Sequence, residues 1–83
     1  MSFELTQHAK KAVAERAIPL EWVERTVSRP ELREPDPADP AVERRYRRIP
    51  EHGGRVLRVA VNHRVAPERV VSVFFDRKMK GKI

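Results

Sequence analysis

Residues 53–76, GGRVLRVAVNHRVAPERVVSVFFD, hold the densest concentration of Val, Leu and Phe in the chain and decide its fold. They divide into two β-branched runs, residues 56–62 and 69–76, around a turn that contains Pro67. β-Branched and aromatic residues suit a pleated, half-buried surface. Side chains alternate faces along a strand. Leu57, Val59 and Val61 therefore share one face of the first run, and Val71, Val73 and Phe75 one face of the second. An antiparallel pairing of Val61 with Val71 predicts Val59 opposite Val73 and Leu57 opposite Phe75. Each such pair adds roughly 0.2–1 kcal/mol. The apolar face so formed needs a cover. The reverse face is mixed, with Arg58 opposite Phe74 and Val56 opposite Asp76. It is either a solvated sheet surface or a binding surface.

The cover comes from the first thirty residues. Phe3-Glu4-Leu5 reads as a short strand, and Thr6 as a helix N-cap. Across residues 6–16, Ala9, Ala12, Val13 and Arg16 recur at helical spacing and make a narrow stripe of small residues. Pro19 opens a second helix over residues 20–28, with Leu20, Val23, Glu24 and Val27 on its stripe. Trp22 and Thr26 fall on a neighbouring face, where Trp22 serves as a packing anchor. Pro30 ends that helix.

Glu31-Leu32-Arg33 reads as a brief strand. Residues 34–41 form a proline-spaced acidic loop, expected to be extended, exposed and mobile. Residues 42–49 fit a strand with a heavily basic outer face, and residues 50–54 a turn ending in Gly-Gly. Residues 77–83 make a basic tail. The expected fold is α+β: two N-terminal helices packed on one face of an antiparallel sheet of three or four strands, in the order β-α-α-β-β-β.

With 83 residues the chain makes a single domain, 1–83, with a thin core. It has no Cys, which excludes disulfides, thiolate metal sites and thiol nucleophiles. No apolar run approaches the ~20 residues that span a bilayer. No signal peptide is visible, so a cytoplasmic location is the default expectation. Eighteen Lys and Arg against twelve acidic residues give a net charge of +6. That balance favours an anionic partner, either RNA or an acidic protein, over a membrane.

Three segments together resemble one family. They are Thr6-Gln7-His8-Ala9 with Glu15-Arg16-Ala17-Ile18-Pro19; Arg55-Val56-Leu57-Arg58-Val59; and Val70-Val71-Ser72-Val73-Phe74-Phe75-Asp76-Arg77. The likeness is to domain-of-unknown-function family 4258, small bacterial proteins, and runs from about Glu4 to Lys82. The family's arrangement is similar to that of RelE-like toxins, small basic ribonucleases. The resemblance implies a toxin-like fold but no established activity, since fold does not carry function. Its marked polar positions map onto His8, Arg16, Arg58 and Asp76, the candidate catalytic residues. Ser72 keeps a hydroxyl where the family often has Thr.

The residues themselves leave alternatives open. His8 in a first helical turn is either a proton carrier or a packed ring. Arg16 lies about 12 Å further along the helix. It either flanks an anion with His8 or pairs locally, with Glu21 as one candidate. His52 and His63 fall in turns with no metal-ligand spacing, and neither a metal nor a cofactor is expected. Arg44, Arg45, Tyr46, Arg47 and Arg48, with Arg77 and Lys78 of the tail, form the candidate nucleic-acid-binding set. Arg forks grip phosphate and Tyr stacks on bases. The alternative for that run is a solvated face. Three functions fit: RNA binding or metal-independent RNA cleavage, a module for an acidic antitoxin-like protein, and a toxin-like fold without catalysis.

Overall fold

The computed structural model describes residues 2–83. The element order is β1 (Phe3–Leu5), α1 (Gln7–Glu15), α2 (Leu20–Ser28), β2 (Leu32–Pro35), β3 (Val42–Ile49), β4 (Arg55–Asn62) and β5 (Glu68–Phe75). Short 3-10 turns follow β3, at Pro50–His52, and β5, at Arg77–Met79. The fold is α+β, with both helices against one face of the sheet. The sheet has five strands, not three or four, in the order β1-β5-β4-β3-β2. It is also mixed rather than antiparallel. β1 pairs parallel to β5, with Phe3 beside Glu68 and Leu5 beside Val70; both helices and β2–β4 lie between them in the chain, which leaves room for the crossover a parallel pair needs.

The central pairing is the expected one over most of its length. Leu57 lies opposite Phe75, Arg58 opposite Phe74 and Val59 opposite Val73. Beyond Ala60 the register shifts by a bulge, and Val61 pairs with Val70 instead of Val71. A bulge puts one extra residue on one strand and re-aims those beyond it. Val70 is thereby fully buried, and Val71 leaves the core face. The core gathers Leu57, Val59, Val61, Val70 and Val73 from the sheet, and Ala9, Val23 and Val27 from the helices. Phe3 and Ile18 close its margins.

Thr6 caps α1, its hydroxyl accepting from the Ala9 amide at 3.1 Å. The other end closes by two reversed bonds, Ala17 N–H to Ala14 O and Ile18 N–H to Val13 O. This C-terminal motif requires a left-handed residue, usually glycine. Ala17 supplies it at φ 51°. Pro19 is the N-cap of α2 rather than its first residue. The buried stripe of α2 is also rotated from the expected one. Thr26 is buried beside Val23 and Val27, while Leu20 is 45% exposed. The Thr26 hydroxyl donates to Trp22 O at 2.9 Å, which lets a polar residue sit in the core.

The proline loop is mostly exposed, as expected, but folded by side-chain turns rather than simply extended. β2 runs to Pro35, as an edge strand permits. Asp36 then accepts from the amides of Ala38 and Asp39, and Asp39 from that of Ala41. These side-chain turns fold the acidic segment on itself.

Candidate functional site

The basic strand β3 does not present one cationic face. Alternation sends Arg45 and Arg47 to the helix side, in register with Val59 and Leu57. Arg44, Tyr46 and Arg48 go to the reverse side. Arg45 is only 4% exposed. Its fork donates to both Glu68 oxygens at 3.0 and 2.8 Å, to Glu43 at 2.7 Å and to Val27 O at 3.1 Å. The paired guanidinium holds the Glu68 carboxyl below the usual carboxylate range. Four of its five N–H donors are thus spent inside the fold, at a buried position that keeps Arg45 from a phosphate. Arg44 pairs with Asp36 at 3.2 Å and Arg48 with Glu31 at 2.9 Å. Charge neutralised in this way is structural first.

The mixed face of the hairpin is largely closed. Tyr46 is 2% exposed, and Val56 and Ala60 are buried beside it. Burial and the Glu34 carboxylate push the Tyr46 phenol up from its ordinary value, so it stays protonated and is a poor base. Arg58 lies over the Phe74 ring, 4.7 Å from its centre, and reaches Asp76 at 3.5 Å. Asp76 also accepts from the Lys78 amide at 3.0 Å. Arg58 and Asp76 thus meet, and together they fasten the tail to β4.

The open site lies at the end of these strands where β4 starts and β5 stops. A cleft of about 710 Å³ is bounded by the C-terminal end of α1, Trp22 of α2, His52 of the turn after β3, and the start of β4. The end of β5 and the tail complete it. Four cations line it: Arg16, Arg55, Arg77 and Lys80. Among the described residues none of the four has an ion-pair partner. Among the described residues Asp76 is the single lining carboxylate. Arg16 spends one nitrogen on Val73 O at 2.9 Å, which fixes the arm and leaves the rest of its fork free.

The cleft's apolar wall is aromatic. His52 lies 4.7 Å from Phe75 and 5.6 Å from Trp22, and Trp22 meets Phe75 edge-on at 6.2 Å. Trp22 thus does pack as an anchor, against Phe75, and also lines the opening. Of the candidate residues, the cleft brings together Arg16, Asp76 and Arg77. His8 sits exposed in the first turn of α1, at the far end of that helix from Arg16. Arg58 and Lys78 are not among the cleft's walls. Sequence reasoning missed Arg55, and it weighed His52 only as a metal ligand and set that aside. The available signal was a His and an Arg on either side of Gly53-Gly54, whose left-handed backbones turn the chain sharply there.

A family model described as "Domain of unknown function (DUF4258)" matches residues 5–75. The chain belongs to this family. No curated protein and no solved structure matches it. The family match covers α1 and all of β2–β5, so the walls of the cleft up to Phe75 lie within the family domain. No helix among the described residues is long and apolar enough to cross a membrane.

Proposed function

We propose that this protein binds single-stranded RNA in the cleft. The observation that carries this reading is the juxtaposition of Arg16, Arg55, Arg77 and Lys80 with the Trp22–His52–Phe75 cluster. The cations meet phosphate, and the rings offer stacking surface to an unpaired base, worth about 1–3 kcal/mol per base. An acidic protein segment satisfies the cations but leaves the rings without a flat partner, which favours RNA. The net charge of +6 draws a polyanion to the surface before contact.

Trp22 is the only Trp, so its fluorescence reports directly on the cleft. Titration with a short single-stranded RNA is expected to quench it, with affinity falling steeply as salt rises. Arg55→Ala is expected to weaken binding by about fivefold, the size of one lost phosphate contact of ~1 kcal/mol. Quenching by polyglutamate and not by RNA would instead assign the cleft to an acidic protein partner.

Cleavage of the bound strand is a second reading, favoured by His52. It brings an imidazole into the cationic cleft, where neither His8 nor Tyr46 lies. Basic side chains stabilise charge developing on phosphate while imidazole moves a proton. Activity in the presence of a chelator that disappears in His52→Ala, with RNA binding retained, is the expected signature. Equal cleavage by His52→Ala and the unaltered protein would discard it.

A further inference from the structure

A second basic depression lies across the 50–55 turn from the cleft. It measures about 440 Å³ and is lined by Arg25, Arg29, Arg47 and Arg48 and by one carboxylate, Glu31, with Pro50 and Gly54 at its rim. Its cations are not equivalent. Arg25 is committed to Glu51 and Glu21, and Arg48 to Glu31. Arg47 gives one nitrogen to Arg29 O at 2.6 Å, and its buried Nε has no partner among the described residues. Buried donors are nearly always satisfied in folded proteins; among the described residues the Arg58 Nε, outside this depression, is the other exception. Arg29, just past the end of α2, is exposed and has no ion-pair partner among the described residues.

The two depressions share one wall. His52 and Arg55 face the cleft, while Pro50 and Gly54 face the groove. Between them the crest is Gly53-Gly54, which carries no side chain and borders open space. A strand crossing there meets bare backbone, with cations on both slopes.

We infer that one RNA strand crosses this saddle, with a base and phosphate in the cleft and further phosphates on Arg29 and Arg47. This rests on the RNA reading above and specifies its ligand. The ligand is single-stranded and spans on the order of four nucleotides, near the lower end of single-strand sites. A mononucleotide or dinucleotide fills the cleft alone. A duplex keeps its bases stacked and cannot give one to the rings.

The test is fluorescence anisotropy with labelled oligouridylates of two and eight nucleotides. Arg29→Glu is the groove variant, chosen because its exposed side chain can change without loss of the fold. Arg64→Glu is a matched charge reversal in the β4–β5 turn, roughly 24 Å away along β4. The octamer is expected to bind the unaltered protein more tightly than the dinucleotide. Arg29→Glu is expected to weaken the octamer about tenfold, to lower its salt slope by about 0.7 and to leave the dinucleotide unchanged. Arg64→Glu is expected to change neither by more than about twofold. Equal affinity for both lengths, or equal losses in the Arg29 and Arg64 variants, overturns the inference. Loss of octamer binding in Arg55→Ala but not in Arg29→Glu keeps the cleft and removes the groove. If neither length binds, both readings fall.

Discussion

Ala17 holds a left-handed backbone, φ 51°, that L-residues other than Gly adopt at a cost of about 1–2 kcal/mol. It does so at the mouth of the cleft, between Arg16 and the buried Ile18. Ala17→Gly is expected to relieve that strain and stabilise the fold by about 1 kcal/mol, a rise in Tm of about 4–8 °C. Thermal unfolding by circular dichroism checks it, and an unchanged or lower Tm would count against strain at this site. Arg45 makes the opposite case. It is buried and serves two carboxylates and a carbonyl at once. Arg45→Ala leaves those acceptors without their donor and is expected to cost about 3 kcal/mol. Arg45→Lys recovers only part, since an ammonium lacks the planar fork. Urea unfolding of the two variants measures both, and a loss under about 0.5 kcal/mol in Arg45→Ala would show the cluster to be ornamental.

The elements separate what sequence reveals from what it hides. Both helices and the β4–β5 pairing were legible because apolar spacing is local and repeats at the period of each structure. The bulge after Ala60 was not, since Val70 and Val71 are the same residue type and only three-dimensional packing selects which one faces the helices. The burial of Arg45 was hidden for a related reason, because Glu68 reaches it from another strand. The cleft was illegible as a unit. Its walls come from five separated segments, none with a motif of its own. The pairing of Arg58 with Phe74 was traceable, but the reach of Arg58 to Asp76 was not, since it depends on side-chain direction. Their contact also closes the 3-10 turn through the Lys78 amide. Asp76→Ala is expected to uncap that turn and cost about 1 kcal/mol. It should raise amide exchange at Lys78 and leave β4 protected. Unchanged exchange at Lys78 would show that the tail is held by other contacts.

Across the whole molecule, carboxylates clasp the layers together. Glu51 joins Arg25 across the α2–turn boundary, and that guanidinium holds its carboxyl at about 2. Glu31, Asp36 and Glu68 are also held below their ordinary values by Arg partners and backbone amides. A carboxyl depressed in the folded state contributes its full stability above the unfolded value near 4.5. It loses that contribution as pH falls toward the folded value. Denaturant midpoints are therefore expected to be level from pH 7 to about 5 and to fall progressively between about 4.5 and 2. A midpoint unchanged at pH 3 would show that these pairs contribute nothing net.

The parallel seam between β1 and β5 has its own consequence in time. Phe3 waits for Glu68, and α1 has no floor until Val70 and Val73 arrive, whereas α2 rests on the earlier β3 and β4. A nascent chain emerging from the ribosome holds its first strand unmated through most of its synthesis. Assembly of the core is thus a late, nearly all-or-none event, and a chain cut short before β5 is a substrate for chaperones rather than a smaller working version.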